Sequence, residues 1–518
     1  MAPLKKPLLT TLRVSLLTCA VIGLSACAGL TPAPLADKDI DAVNHADQTA
    51  MQQGVEPILS PLTLDEAMAR ALKYNLDRRA RLLEQTLAMH QLDVTRFDML
   101  PVLAARLNAT SRNNDHISRS LDPETGEVSS TGFISQDRSH QLSDLGVTFN
   151  LLDFGMGYYN TRQQASRIHI ATEKRRRAMH LLTQDVRTAY WRAASAQKLR
   201  DEVTNTIRVA EEALVDSRKV EQERTRNPID ALRYQRQLLE NLRLLESINQ
   251  ELLSAQVDLA SLINAPLNRP IPIAESALED TASRLTSIPI EQLEEMALRH
   301  NADLREQHYN ARVAQEETRK ALLRMFPNLS FSYGLNYDSD KYLINNNWRE
   351  AGLQLSFNFM NLLTGPMQAR LAEAGVKLAD QRRMATQMAV LTQVHLVRLQ
   401  LLNARSQFQR AEEVFSTDKR ISELMRTRES VQASSKLERV SNDTAAILSL
   451  LRRYQALAQV QAAESRLVAQ LGMEPRIGST DDLSLQDLTQ QVKGQSGFDA
   501  LWLDLSKELT APAKGAPQ

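Results

Sequence analysis

The sequence predicts a mainly α-helical fold with a β-barrel portion, built from duplicated helix–strand–strand–long helix units. Short motifs recur in the same order in both halves of the chain, which predicts the duplication. Two stretches, about 158–224 and 367–432, keep a helical spacing of apolar residues. Four other segments alternate strictly between apolar and polar side chains, which predicts four β-strands. Very long helices combined with two pairs of strands define the fold class.

Residues 1–26 are predicted to be a secretory signal peptide. Lys5, Lys6 and Arg13 give a positively charged start, and the apolar run Val14–Ala26 follows. That run is shorter than the ~20 residues that a transmembrane helix needs. Its length suits the apolar core of a signal peptide instead.

The signal peptide ends in Leu24-Ser25-Ala26-Cys27, which resembles the lipobox of bacterial lipoproteins. The resemblance implies cleavage before Cys27 and acylation of its thiol, palmitate included. Ala28 in place of aspartate implies sorting to the outer membrane, with 27–60 as a lipid-anchored tether. An ordinary signal peptide with an incidental cysteine is the alternative. The only other cysteine, Cys19, lies inside the signal peptide, so the mature chain is expected to have no disulfide.

Composition argues against several other classes of protein. Lysine plus arginine and aspartate plus glutamate both number 62, so no net field attracts nucleic acid. The basic run Lys174–Arg177 is interpreted as a solvated helix face. The 9 histidines show no metal-ligand spacing, and no catalytic or phosphate-binding motif occurs. We therefore expect no nucleic acid partner, no metal, no cofactor and no enzymatic activity.

Two internal repeats organise the mature chain. The early motifs of the two copies share one offset and the later motifs share a shorter one, which a single insertion in the first copy explains. The repeats are predicted to span 61–286 and 287–475, with a C-terminal tail at 476–518. The matching motifs are Ala71–Asn75 and Ala297–Asn301, Met99–Pro101 and Met325–Pro327, Phe149-Asn150 and Phe357-Asn358, and Leu259 and Leu467.

Each repeat is predicted to contain one long helix after its strands. At ~1.5 Å per residue each helix is about 100 Å long. Thr63 and Glu66 form a capping box that predicts the start of the first helix of the chain, which ends before Pro101. The apolar residues of the long helices, many of them alanine, follow a coiled-coil spacing. They are Ala171, Ala178, Leu182, Val186, Ala189, Ala193, Ala196, Val203, Ile207, Ala210 and Leu214 in the first copy and Ala379, Val390, Val394, Val397, Leu401 and Ala404 in the second.

The strands are predicted at about 101–111, 141–152, 328–338 and 349–360. Alternation over ~10 residues, apolar outward and small polar inward, is typical of transmembrane barrels. A half-buried soluble sheet alternates in the same way and stays an alternative. The outward faces are expected to carry no charge, which favours lipid. Because a sheet in lipid has no free edge and small barrels have about eight strands, several copies must pool their strands; this argument leaves their number open.

Nearly the whole mature chain resembles the TolC-like family of outer-membrane efflux proteins. The resemblance rests on the Ala-Leu-x-x-Asn segments ending at Asn75 and Asn301, the prolines Pro101 and Pro327 before the strands, and the strand exit Leu152-Asp153-Phe154-Gly155. It implies a homotrimer in which a 12-stranded outer-membrane β-barrel is continuous with a periplasmic α-helical barrel. It also implies a periplasmic adaptor protein and an inner-membrane transporter of the RND, ABC or MFS type as partners.

The periplasmic tips depart from the family pattern, in which a glycine-containing loop meets the adaptor. Neither tip has a glycine, although Asn-Pro in the first tip is a turn signal of its own. The residues expected to contact the adaptor are Arg226, Asn227, Pro228 and Asp230 in the first tip and Ser434, Ser435 and Lys436 in the second.

Candidates for the tunnel mouth follow the second tip. Some relatives carry two aspartates there, and the matching positions are Arg439 and Asn442 in this sequence. Glu438 and Asp443 lie beside them but are expected on other helix faces. An acidic, cation-selective gate is therefore not predicted.

Two functions follow from these patterns. The first is the passive outer-membrane duct of a tripartite export, efflux or type I secretion system. The second is a periplasmic coiled-coil structural or adaptor lipoprotein without a transmembrane barrel. The sequence does not name the cargo, which for such ducts is a drug, a metal, a polysaccharide or a protein.

The polar loop at about 111–140 is expected to be mobile and solvated.

Overall fold

The computed structural model describes residues 34–222, 228–274, 282–430, 436–473, 480 and 482–495, in two compact units. The first unit ends at Glu56 and contains helix α1, Asp37–Gln52, which buries none of its residues. The second unit begins at Pro57 and contains the other helices and strands. The amphipathic segment expected in the C-terminal tail, about 498–509, lies outside the described residues.

The second unit consists of two copies of one arrangement, and helices of the first copy have counterparts in the second. The helices are α2 (Leu64–Tyr74), α3 (Leu76–Phe97), α4 (Leu151–Gln222), α5 (Pro228–Leu262), α6 (Ala282–Ser287), α7 (Ile290–His300), α8 (Ala302–Leu323), α9 (Met360–Ser430), α10 (Lys436–Gln470) and α11 (Leu485–Gln495). The strands are β1 (Val102–Ser111), β2 (Ile117–Ser118), β3 (Phe133–Ile134), β4 (Ser139–Asn150), β5 (Asn328–Asp338) and β6 (Asn347–Ser356). Matching helices have equal lengths: 11 residues in α2 and α7, 22 residues in α3 and α8, and 35 residues in α5 and α10. The duplicated architecture predicted from the motifs is therefore confirmed, while the repeat boundaries stay predictions.

The first helix of each repeat is broken, where the sequence analysis expected one continuous helix. Asn75 and Asn301 end α2 and α7 in an extended conformation and cap the next helix. The side-chain oxygen of Asn75 accepts a hydrogen bond from the backbone N–H of Arg78 at 3.0 Å. Asn301 does the same for Leu304 at 3.1 Å. The asparagines of the recurring motif are therefore helix N-caps, which accounts for their place in both repeats.

The long helix α4 begins directly after β4, and three residues separate the end of β6 from α9, so both helices begin earlier than the sequence patterns indicated. Gly155, part of the predicted strand exit, lies inside α4. A Cβ atom there would lie 2.6 Å from Leu323 Cδ2, and one on Gly365 in α9 would lie 2.6 Å from Met325 Cγ. These glycines allow the start of each long helix to contact the end of α8, or the residues just after it, closely. They do not mark a turn.

The predicted coiled-coil stripe is buried over most of its length. In α4, Val186, Ala193 and Val203 are fully buried, and in α9 Val394 and Leu401 are. Val203 contributes to an apolar cluster with α5 and α10, whereas Val394 and Leu401 contribute to another with α7 and α10. The long helices are thus held by side-chain packing, since propensity alone leaves an isolated helix marginal.

The segment before α2 and the segment after α5 pair with each other beside the middle of α4. Leu62 pairs with Ile273 in an isolated parallel bridge beside α4. The fully buried Tyr190 on α4 places its hydroxyl 3.3 Å from the carbonyl oxygen of Leu62 and 3.1 Å from that of Ala274. Gln197, two turns further along α4, bonds both the N–H and the carbonyl of Ile273, at 2.7 and 2.9 Å. The polar groups of this irregular backbone are therefore satisfied by side chains of the long helix.

The basic run at 174–177 is not the fully solvated face that the sequence analysis expected. The Arg176 side chain is only 13% exposed and pairs with Glu173. It also donates to the carbonyl oxygen of Gly472 at 3.1 Å. Arg177 pairs with Asp303 at 3.0 Å. The run therefore links α4 to α8 and to the segment that follows α10.

The polar loop between β1 and β4, expected to be mobile, contains the β2–β3 hairpin. Arg138 forms a two-pronged ion pair with Asp115, at 2.5 and 2.6 Å. Asp137 pairs with Lys341 in the β5–β6 loop, and its N–H donates to Asp340 at 3.2 Å. The hydrogen bond from Lys341 holds the pKa of Asp137 below its usual value. Loops of the two repeats are therefore joined at this end of the sheet.

Candidate functional site: a two-faced sheet and the helical tips

The strands β1, β4, β5 and β6 form one antiparallel sheet in that order. Its register aligns the predicted alternation across all four strands. Leu103, Val147, Tyr333 and Ala351 form one cross-strand row. Phe149, Phe331 and Leu353 form the next. The sequence pattern of each strand is therefore continued by its neighbours into a single apolar face.

This apolar face lies open in the single chain. Leu103, Phe331, Tyr333, Leu353 and Leu355 are between 47% and 69% exposed. Isolated exposed apolar side chains are ordinary, but a contiguous patch across four strands marks a surface that contacts lipid or protein.

The opposite face is lined by small and polar residues. Gly146 and Gly334 lie side by side, next to the row of Thr148, Ser332 and Gly352. A Cβ atom on Gly352 would lie 2.7 Å from Ser332 Oγ, so the side chains on this face are already close to one another. Small residues suit the concave face of a curved sheet, where side chains converge.

The expectation of an uncharged apolar face is wrong at one position. Arg349 lies opposite Leu335 and shares the parity of Ala351 and Leu353. The sequence analysis placed Arg349 at the very start of its strand and overlooked its charge. Because β6 begins at Asn347, Arg349 lies within the paired part of the strand, near its loop end.

Sheet and helices share one lateral order. The helix α3 packs on α4, α4 on α8 and α8 on α9, matching β1–β4–β5–β6. The outer helices of this row expose large apolar side chains: Leu83, Val94 and Phe97 on α3 are at least 67% exposed. Leu371 and Met388 on α9 are 75% and 66% exposed. The open strand edges and the apolar helix flanks therefore occur on the same two sides of the chain.

The structure describes only some of the predicted tip residues. Pro228 begins α5 and Asp230 lies in its first turn, 3.9 Å from Arg233. Lys436 begins α10. Outside the described residues lie Cys27, Arg226, Asn227, Ser434 and Ser435.

Asp443 is the centre of an ion network just beyond the second tip. It is 5% exposed and accepts hydrogen bonds from Ser422 Oγ and, at 3.0 Å, from Arg426 Nε. Arg439 Nε lies 3.5 Å from the other carboxylate oxygen. The sequence analysis expected Asp443 on a different face from Arg439, and this was wrong, because residues four apart are neighbours on a helix.

The network extends from α10 to two other helices. Arg439 Nη1 donates to Glu429 on α9 at 2.6 Å, and Arg426 Nη2 lies 3.7 Å from Glu202 on α4. Burial alone lowers the pKa of Arg439, but its hydrogen bond to Glu429 and the nearby charge of Asp443 outweigh burial and raise that pKa. The guanidinium thus stays charged, and α4, α9 and α10 are linked near their tips.

The remaining mouth candidates lie around this network. Glu438 is exposed, while Asn442 is half-buried and donates to the Glu438 carbonyl at 2.6 Å. Sequence reasoning missed Ser422, Arg426 and Glu429. The i, i+4 pairing on α10 could have been read from the sequence, whereas these partners lie on another helix and have no local signal.

No helix within the described ranges is long and apolar enough to cross a membrane. Among those same residues, no group of three or more histidine, cysteine, aspartate or glutamate side chains is arranged to hold a metal ion.

Solved structures of membrane proteins share this arrangement. The CmeC outer membrane channel of Campylobacter jejuni is similar with a TM-score of 0.61 at 13% identity, over 83% of this chain and 89% of that one. A membrane protein from Pseudomonas aeruginosa has a TM-score of 0.60 at 16% identity, over 82% and 92% of the two chains. The MtrE outer membrane channel of Neisseria gonorrhoeae has a TM-score of 0.54 at 17% identity, over 78% and 88%.

No family model matches the sequence. No curated protein matches it either. The similarity to solved structures nevertheless covers most of each chain, so the fold is that of the TolC-like outer-membrane channels, as the sequence predicted.

Proposed function

We propose that this chain is one protomer of an outer-membrane duct that conducts cargo passively out of the cell. The observation that supports it best is the sheet, which has one exposed apolar face, one small and polar face, and two open edges. Water disfavours such an apolar face, whereas the hydrocarbon of a bilayer solvates it. The polar face then borders an aqueous path.

Closure of the sheet requires further copies. In lipid every backbone group must be paired within protein, so the edges of β1 and β6 cannot stay open. The two edge strands run antiparallel, because each of the three pairings between them is antiparallel. β6 of one copy can therefore continue into β1 of the next, and head-to-tail contacts of this kind close into rings. The apolar flanks of α3 and α9 come together in the same ring. The resemblance to TolC-like proteins selects three copies and twelve strands.

The long helices extend this ring as a tunnel into the periplasm. The ion network around Asp443 holds α4, α9 and α10 together near the tips. Passage of cargo requires these tips to separate. We infer that a periplasmic adaptor drives this step, with an inner-membrane transporter supplying the energy. The contacts of the adaptor are Arg226, Asn227, Pro228, Asp230, Ser434, Ser435 and Lys436. No chemical step is assigned to this chain.

The predicted lipid anchor belongs to the same proposal. Acylation at Cys27 would attach the mature chain to the outer membrane, with 27–60 as the tether. Incorporation of labelled palmitate tests it: the wild-type chain is expected to take up label and Cys27→Ser is not. Label in the Cys27→Ser chain would refute acylation at this position.

The molar mass of the detergent-extracted protein tests the shared barrel. Light scattering, corrected for bound detergent, is expected to give three chains, from material in the outer-membrane fraction. A monomer that stays soluble without detergent would refute the duct. It would support the second candidate, a periplasmic coiled-coil lipoprotein whose sheet contacts protein.

A further inference from the structure

A cavity of about 400 Å³ lies between α8 and α9, away from both the sheet and the tips. Arg305, His308 and Arg312 line it from α8 at a spacing of three and four residues, which places them on one helix face. Asp380 and Arg383 line it from α9. Three guanidinium groups therefore line a small, open cavity, in which His308 and Arg312 are exposed to solvent, with one carboxylate among its lining residues.

The contacts of these side chains leave an excess of positive charge. Arg383 pairs with Asp380 at 3.2 Å. Arg305 pairs with Glu173, which lies on α4 outside the cavity lining, at 3.0 Å. Arg312 lies over the ring of Tyr309, 5.5 Å from its centre, and this ring stacks on His169 of α4. An aromatic face attracts a cation but does not neutralise it.

The pKa of His308 reflects burial and the positive electrostatic field in the cavity. Burial lowers the pKa of the imidazole, and the charges of Arg383, Arg312 and Arg305 lower it further. Both effects favour the neutral form of the imidazole. It can accept or donate one hydrogen bond and can take up a proton if an anion arrives.

The equivalent place in the first repeat differs. Alignment of Asn301 with Asn75 places Arg79 at the position of Arg305, Leu82 at that of His308 and Thr86 at that of Arg312. Alignment of Leu467 with Leu259 puts Arg175 at the position of the arginine of α9. Leucine thus replaces the histidine, and threonine replaces the second arginine. The histidine and one arginine of this cavity are therefore specific to the second repeat.

We propose that this cavity binds a doubly charged oxyanion, the phosphate or sulfate group of a small soluble molecule. Guanidinium groups match the oxygens of such groups with paired hydrogen bonds. The cavity volume is at the small end of the range for ligand sites, which favours a compact anion. Arg305 lies in the first turn of α8, which runs to Leu323, and β5 begins only at Asn328. Arg312, which lies nearer the sheet, is 11 residues before Leu323. At ~1.5 Å per helical residue the cavity is therefore roughly 15–30 Å from the end of α8, out of direct contact with the headgroup of a lipid beside the sheet.

Equilibrium dialysis of the detergent-extracted protein against radiolabelled sulfate tests the proposal, with chloride added to hold the ionic strength constant. Wild-type protein is expected to bind saturably. Arg312→Gln and Arg383→Gln are each expected to weaken binding by about tenfold or more, since each removes a charged hydrogen-bond donor. Arg382→Gln is the matched control: it removes the same charge from the adjacent, exposed residue of α9, outside the lining. Thermal unfolding in chloride verifies that all variants fold.

A pH series adds a readout that general attraction would not give. Sulfate stays doubly charged throughout, so any change in affinity comes from the protein. A bound dianion raises the pKa of His308, so affinity is expected to rise as pH falls toward the histidine range, and His308→Gln is expected to remove this rise. Arg305, Arg312, Arg383 and Asp380 are the other charged groups that line the cavity with the imidazole.

Four results would overturn the proposal. The first is the absence of saturable binding of both sulfate and inorganic phosphate to the wild-type protein. The second is equal binding by wild type, Arg312→Gln, Arg383→Gln and Arg382→Gln. The third is displacement of sulfate by a small mole fraction of phosphatidylglycerol in the micelle, which would assign the cavity to a lipid headgroup. The fourth is loss of the oligomer in Arg312→Gln and Arg383→Gln when the wild-type protein binds no sulfate. This result would show that the two arginines contact a carboxylate of a neighbouring copy.

Discussion

Leu353→Arg distinguishes a sheet in lipid from a sheet in water. Leu353 is 68% exposed on the apolar face of β6, and its neighbour Gln354 points to the polar face. Leu353 lies two residues from Ala351, which pairs with the central residue of β5, Tyr333. At ~3.3 Å per residue and a tilt near 40°, this is roughly 5 Å from the midplane of an apolar band about 25 Å tall.

The expected cost follows from that depth. Arginine on a lipid face costs about 2–4 kcal/mol at the midplane and about 0–1 near the interfaces, which gives about 1–3 kcal/mol at Leu353. Loss of the leucine from apolar surroundings adds about 1–2 kcal/mol. Leu353→Arg should thus destabilise each chain by about 2–5 kcal/mol in a bilayer. On a solvated sheet the same change is within about 0.5 kcal/mol.

The assay is urea unfolding of protein reconstituted in lipid vesicles, followed by the loss of assembled oligomer. Gln354→Arg is the control, because it adds the same side chain at nearly the same depth on the opposite face. It is expected to unfold close to the wild-type midpoint. If Leu353→Arg and Gln354→Arg differ by less than about 0.5 kcal/mol, the apolar face does not contact lipid and the reasoning from the alternation fails.

Three further predictions concern the helical part. Asp443→Asn removes a buried charge from between two arginines and is expected to cost about 1–3 kcal/mol of local stability at the tips. The loss should appear as faster hydrogen exchange at the ends of α9 and α10 and as higher conductance in planar bilayers. Glu423→Gln, at an exposed residue, is the control, and equal exchange in both variants would contradict the role of the network. Tyr190→Phe leaves two backbone carbonyls without their hydroxyl partner and is expected to cost about 1–2 kcal/mol in thermal unfolding; an unchanged melting temperature would mean that water replaces the hydroxyl. Burial raises the pKa of Asp185 above its usual value, and a nearby arginine offsets this only partly. Ionisation of Asp185 therefore destabilises the fold as pH rises through the folded-state pKa, so Asp185→Asn is expected to raise the melting temperature at pH 8 but not at pH 3. Equal gains at both pH values would exclude ionisation as the cause.

The sequence determined those features that arise from local periodicity. Alternation with a period of two placed all four long strands to within a few residues, and the 3-and-4 spacing identified the residues that α4 and α9 bury. The recurring motifs gave the duplication, because a repeated unit repeats its residues at a fixed offset. The asparagines of those motifs, Asn75 and Asn301, were found, but not their role as caps between two helices.

Features that depend on residues distant in sequence were decided by the tertiary structure. The partners of Asp443 on α9 and α4 come together only when the helices pack, and nothing local marks them. The same is true of Gly155 and Gly365 at the starts of the long helices, whose close packing against Leu323 and Met325 no local pattern shows. The cationic cavity is lined by residues of α8 and α9. These two helices are separated along the chain by β5 and β6. Periodicity specifies which face of an element is apolar, whereas the partner of that face is fixed only by the packing of the whole chain.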